Sequence, residues 1–381
     1  MPSLDLAMPL ALLAVVIVAM LINRRVEGKL MATVEQKEFK IRDIIILIVF
    51  MAIIVSVIAY TSFLNPGAVF QNILMVVFLS SYTMLLFTFS YVFSNLTKMR
   101  AQLISLGFGI GALIAALTSL LGPLNDGITI YRAIAFFVLA GFCFSVAAYE
   151  QIRKVSKSLR WYVAAQPPAI FVLLFVFFNF LYDGSLQVWA PVLMDVFGLT
   201  FAILIILYLS SMFSWKTVGL FAVLLTIMDI ILVIGTPVMV GAANQFTGLG
   251  LPVLVYLPNI PFVYSVEGAI LSRGLGLGDF FFAGVLAVQT YKKFGKKTAF
   301  VAAAAMAVAF GIWEAFLSDI ITGLIPIVGR NIQGFPGTLM IISGWAPIVA
   351  LKLFFQRNKA TKLPVIARST TAPSEPSLPV Q

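Results

Sequence analysis

Long apolar runs broken by short polar clusters set the rhythm of this chain. The runs cover Leu6 to Asn23, Ile44 to Leu64, Phe70 to Phe93, Leu103 to Leu121, Ala133 to Ala148, Tyr162 to Tyr182, Val188 to Met212, Thr217 to Gly241, Gly274 to Tyr291, Ala299 to Leu317 and Pro336 to Phe355. Each approaches the ~20 residues that an α-helix needs to cross ~30 Å of hydrocarbon. The expectation is an all-α, polytopic membrane bundle of about eleven transmembrane helices. The fifth run is short, with Arg132 crowding its start, and no internal repeat stands out. Past Phe355 the hydropathy ends, and a Pro-, Ser- and Thr-rich tail cannot bury a core, so disorder is expected there.

Composition agrees. Hydrophobic residues make up 61% of the 381 positions and charged residues 10%, against the ~45 to 50% apolar content of soluble domains. The formal charge of +10 does not point to nucleic acid, because Lys and Arg lie in short clusters between apolar runs, as in cytoplasmic loops. With the N-terminus outside, only Arg132, Arg273 and Arg330 fall on the outer side, and 22 of the 25 basic residues are cytoplasmic. That bias predicts an N-out, C-in chain. The first run has no preceding Lys or Arg and reads as an anchor rather than a removable signal peptide. Short loops suit a prokaryotic cell membrane. Cys143, the single cysteine, forms no internal disulfide and reads as a packing residue. The chain holds no histidine, which excludes His-Glu-x-x-His metalloproteases and His-based serine or cysteine proteases. No metal or organic cofactor is implied.

Two acids then change the picture. Asp279 ends Gly274-Leu275-Gly276-Leu277-Gly278-Asp279 within one apolar run, and Asp229 lies in the run before it. An ionised Asp at mid-bilayer costs ~2.5 to 3.5 kcal/mol on insertion scales, so acids in successive spans read as a functional pair. Asp229 follows Lys216 by 13 residues and Asp279 precedes Lys292 by 13. With ~1.5 Å rise per residue, antiparallel helices would bring both to one depth, ~20 Å from the basic boundary. Two carboxylates across a small gap cannot both ionise cheaply and hold a shared proton, so one can take a proton from water while the other donates to a carbonyl oxygen. Gly276 and Gly278 would allow close approach of a neighbouring helix or a substrate backbone.

Met228-Asp229, Gly235 to Val240, Leu251 to Pro258 and Gly276-Leu277-Gly278-Asp279 together resemble the presenilin and signal peptide peptidase family of intramembrane aspartyl proteases. The resemblance implies a catalytic pair of Asp229 and Asp279, supported by Gly276 and Gly278. Met228 stands where the family usually has Tyr, and Pro336-Gly337-Thr338-Leu339 is the best counterpart of the family's Pro-Ala-Leu motif. It is specific from Phe221 to Tyr291 and only topological before Thr217. The family core has nine helices, so the chain divides into extra N-terminal helices at 1–69, the first part of the core at 70–216, a catalytic part at 217–357 and a cytoplasmic tail at 358–381. The implied activity is hydrolysis of peptide bonds within transmembrane or signal-peptide helices, with those segments and membrane lipid as partners.

Three other readings stand beside it. A prepilin-type peptidase shares Gly-x-Gly-Asp but usually has Lys two residues after the acid, where this chain has Phe281. A proton-coupled transporter or channel would use membrane acids without needing the glycines, and a catalytically dead scaffold would only bind helices. Asp195 and Glu314 read as satisfied internal contacts or edge residues, and Gly107, Gly109 and Gly111 as close helix packing. The Pro252 to Pro258 segment reads equally as a loop or as an extended strand that pairs with an unwound substrate.

Overall fold

A computed structural model describes residues 5–33, 38–63, 68–94, 96–120, 127–152, 160–181, 189–236, 238–264, 271–329 and 334–361. The protein is an all-α polytopic bundle. Among the described residues, nine helices are long and apolar enough to cross a membrane. They begin with α1 (Ala7–Thr33), α2 (Ile41–Phe63), α3 (Ala68–Phe93), α4 (Lys98–Ser119) and α5 (Gly127–Ile152). The fifth run is therefore a full-length helix that absorbs Arg132. That side chain is buried, donating from Nη2 to the Ser119 carbonyl (3.1 Å) and lying 5.7 Å from the Phe178 ring centre.

Next come a four-residue helix α6 (Trp161–Ala164) and α7 (Gln166–Phe175), whose first turn takes prolines because the N–H they lack has no intrahelical partner there. A π-helical turn, Val176–Leu181, extends α7. A second π turn, Trp189–Leu193, opens α8 (Met194–Ser210). Helix α9 (Trp215–Ile230) starts at a capping box in which Ser214 and Thr217 satisfy each other's backbone N–H groups. It ends in a π turn, Ile231–Gly235, after which Thr236 is extended (φ −142°, ψ 158°) and α10 (Val238–Gly248) begins. The run expected to be one span to Gly241 is thus split. Thr236 precedes a proline, whose ring disfavours the helical region for the residue before it.

The largest departure lies at the glycine run. Residues 274–276, expected inside a helix, belong to strand β2 (Ser272–Gly276), which pairs antiparallel with β1 (Leu254–Pro258), Leu254 opposite Gly276 and Tyr256 opposite Gly274. Alternating Gly and Leu has a period of two and poor helix propensity, so the backbone takes a ladder partner instead. A methyl group on Gly274 would lie 2.8 Å from the Tyr256 ring, so glycine lets the cross-strand tyrosine lie flat there. Of the two readings of Pro252 to Pro258, the strand holds, paired with the chain's own β2.

Helix α11 (Leu277–Phe294) follows directly and is the buried axis of the molecule, with every residue from Phe280 to Thr290 buried. Around it stand α1, α8, α9, α12 (Lys296–Ala315) and α14 (Gly337–Thr361). Lipid-like surroundings give little hydrophobic drive between helices, so close packing and interhelical hydrogen bonds hold them. A methyl on Gly284 of α11 would meet Ile206 Cγ2 at 2.8 Å, and one on Gly344 of α14 would meet Met306 Cα at 2.8 Å. Near the basic end, Gln289 donates to the carbonyls of Ser210 and Phe213 (2.8 Å each), Ser210 bonds Asn23 (3.1 Å), and Lys292 pairs with Glu27 (2.5 Å).

Helix α1 shares the main core with these helices through Met8, Leu12, Val16 and Met20. Apolar side chains such as Ile46, Phe50 and Ile53 on α2 and Leu103 and Ile110 on α4 face outward, as a lipid-facing surface requires. Between α12 and α14 lies α13 (Leu317–Val328), with no buried residue. Residues 358–361 continue α14, and residues 362–381 of the expected tail lie outside the described residues.

Candidate active site

The two acids come from different helices and converge on the start of a third. Asp229, next to last in α9, is buried, and its Oδ2 accepts from the backbone N–H (3.2 Å) and the hydroxyl (2.6 Å) of Thr338. Thr338 is the second residue of α14, so the carboxylate caps a helix N-terminus, whose free N–H groups and partial positive charge suit an anion. Asp279 is the third residue of α11, and its carboxylate lies by the backbone N–H of the N-cap, Gly276. The two carboxylates are close enough for their charges to interact.

Gly337 binds the arrangement together. A methyl built on it would lie 2.6 Å from Asp279 Cγ and 2.9 Å from Oδ2, well inside van der Waals contact. Consecutive residues of α14 therefore touch the two acids, Gly337 facing Asp279 and Thr338 bonding Asp229. Pro336, buried, precedes them, and its carbonyl accepts from Met340 N–H (3.4 Å) in the first turn of α14. The two positions that depart from Pro-Ala-Leu acquire physical reasons. Alanine would collide with Asp279 as it stands, and leucine would deprive Asp229 of its hydroxyl partner. Met228 is half-buried and packs against the main core. Gly278 has open space where a side chain would project, whereas a methyl on Gly276 would make an ordinary 3.5 Å contact with Asp279 Oδ2.

Asp279 opens on a cavity of about 540 Å³ whose wall includes Arg273 to Gly276 of β2, Gly337 and Met340 of α14, and Glu314 of α12. Asp229 does not line it. The other edge of the hairpin is occupied. Asp195, from α8, accepts from Tyr256 N–H at 2.6 Å and so takes a β1 donor that points away from β2. Asp195 is thus a satisfied internal contact, as expected. Of the three glycines expected at close helix packing, Gly109 holds, since a methyl there would meet the Phe144 ring, whereas Gly107 and Gly111 face open space and are not packing positions.

Glu314 departs from the bland expectation. Its Oε1 pairs with Arg273 Nη1 at 3.0 Å, but Oε2, on a side chain 7% exposed, is buried with no hydrogen-bond partner among the described residues, and the residue lines the cavity. Its place is not legible in the sequence, because Arg273 and Glu314 lie far apart along the chain. The only signal is an acid inside an apolar run, the same signal that singles out Asp229 and Asp279. No family model and no curated protein matches this chain.

Proposed function

We propose that the protein is an intramembrane aspartyl endopeptidase that hydrolyses peptide bonds within transmembrane or signal-peptide helices. One observation carries the reading. Two carboxylates from α9 and α11 meet at consecutive residues of the α14 N-terminus, with one of them, Asp279, facing a cavity walled by a strand edge. A lone structural acid needs a partner, but two acids at one helix terminus, one of them open to a cavity, can act as an acid–base unit. In this mechanism the protonated carboxyl donates to the substrate carbonyl oxygen, while the other takes a proton from the attacking water. Neither role belongs to one residue permanently, because the proton is shared by the pair.

The hairpin supports a route for the substrate. A helical peptide bond is shielded by its own hydrogen bonds and must be unwound before attack. Among the described residues the sheet has two strands, with β1's outer edge met by Asp195 and β2 forming cavity wall up to the residue that caps Asp279's helix. An unwound segment added along β2 would satisfy its backbone groups there and place a carbonyl beside the acids.

Asp229→Ala and Asp279→Asn are each expected to insert and fold yet to lose cleavage of a fluorescent transmembrane peptide in liposomes. Cleavage retained in either variant rejects the mechanism. Acid-driven uptake that both substitutions abolish, without peptide cleavage by the unsubstituted protein, would assign the acids to transport instead.

A further inference from the structure

The cavity that Asp279 opens on also carries an unfilled acceptor. Glu314, in the wall that Asp279 shares, has one oxygen engaged by Arg273 and the other, Oε2, buried without a partner among the described residues. Among the described residues the nearby charge is mostly negative. Asp319 also lines the cavity, Asp5 lies within Coulombic reach of Glu314, and Arg273 is the only basic residue among the described lining. A buried carboxylate oxygen without a donor is costly, and the cost is relieved by whatever brings an N–H to it. Building on the proposed protease function, we infer that Glu314 is a specificity-determining residue, and that the cavity selects transmembrane segments carrying a Lys or Arg a few residues from the scissile bond.

The spacing follows from the strand. Arg273, whose side chain holds Glu314, precedes Gly276 by three residues of β2, and an extended chain advances ~3.3 Å per residue, so the backbone that presents this ion pair lies ~10 Å along the strand from the end that caps Asp279's helix. A substrate laid along β2 would bring a side chain about three to five positions from the cut bond to that place. The selection is discriminating because basic residues are rare in membrane spans, where they are expensive without a partner. Glu314 supplies one, and an acidic side chain at the same position would meet like charge.

The test uses fluorescent Leu/Ala transmembrane peptides in liposomes, with one Lys walked along the sequence and norleucine, its uncharged analogue, at the same positions. Binding is measured to the full-length Asp279→Asn protein, and cleavage by the unsubstituted protein. Tighter binding of one or two Lys registers than of the matching norleucine peptides, by about tenfold or more, is expected. That preference should vanish in Asp279→Asn/Glu314→Gln. It should persist, weakened, in Asp279→Asn/Glu314→Asp, which keeps the ion pair's charges and guards against a fold lost with the pair. A Lys preference unchanged by Glu314→Gln, or none in any register, overturns the inference. Peptides bound with the preference but never cut would leave it standing and reject the protease reading. Peptides cut at equal rates whatever the side chain would do the reverse.

Discussion

Gly337 and Thr338 are the residues at which the site's chemistry is most exposed to test. The resemblance sets Ala and Leu as the family's usual choices at these two positions, yet the structure has no room for a methyl group beside Asp279 and gives the Thr338 hydroxyl to Asp229. Gly337→Ala, although it restores the family residue, is therefore expected to displace Asp279. Overpacking of this kind costs ~1 to 3 kcal/mol, and a displaced acid would lower peptide cleavage by ~100-fold, since positioning errors of ~1 Å have effects of that size. Cleavage within a few-fold of the unsubstituted protein would show that the contact is relaxed at no cost. Thr338→Val removes a hydrogen bond to a charged group, worth ~1.5 to 3 kcal/mol, and is expected to lose ~10- to 100-fold in kcat/KM. Thr338→Ser, which keeps the hydroxyl, should stay near the original value. Equal losses in Val and Ser would reduce Thr338 to a packing role.

At the scale of elements, the β hairpin converts a helical expectation into a strand that leads into the first turn of α11. It is anchored from α8, where Asp195 bonds Tyr256 N–H at 2.6 Å and Gly198 lets Val255 approach. Asp195→Ala is expected to loosen the hairpin and not the bundle. Removing the acceptor from a partly buried N–H costs ~1 to 3 kcal/mol, which hydrogen exchange would read as ~10- to 100-fold faster exchange across Leu254 to Leu257 with α11 unchanged. Asp195→Asn, which retains an oxygen acceptor, should exchange nearly as slowly as the original. Uniform acceleration through the bundle would mean the anchor serves global stability. The hairpin also marks where a sequence stops being legible. Hydropathy locates the long helices because apolar length alone decides whether a segment can span. It merges β2 with α11 because the Gly-Leu alternation sits within the same apolar run, and pairing with Leu254 to Pro258 is long-range information. Asp229 and Asp279 are legible as acids in apolar runs. That they meet at Gly337 and Thr338 is legible only through the resemblance, and the roles of those two side chains only through the packing.

For the whole molecule, the question is whether the N-terminal helices are an appendage or part of the machine. By the resemblance, residues 1–69 are an addition to a nine-helix core. In the structure α1 packs on α8, α11 and α12 and is tied at both ends. At one end Asp5 Oδ1 accepts from Ile260 N–H (2.8 Å) and Leu6 N–H donates to the Ile260 carbonyl (2.9 Å), just past β1. At the other, Glu27 pairs with Lys292 in the last turn of α11, the helix that carries Asp279 in its first turn. A helix held at both ends against the hairpin and the buried axis is placed to steady α11, and with it Asp279. Transmembrane helices are stable one by one and associate afterwards, so the contribution of α1 can be separated from its synthesis. Residues 41–381 expressed alone are expected to insert but to lose peptide cleavage, because α11 would lack the partner that covers one of its faces. Co-expression of residues 1–36 as a separate polypeptide is expected to restore cleavage to within ~10-fold, since inserted helices associate through their packing. Glu27→Gln in that fragment should weaken the rescue, and Glu27→Gln paired with Lys292→Gln in the larger piece should lose little more, the two substitutions removing one shared contact. Full activity of residues 41–381 alone would make α1 an appendage. Activity that no fragment restores would place the essential link in the covalent connection instead of in the packing.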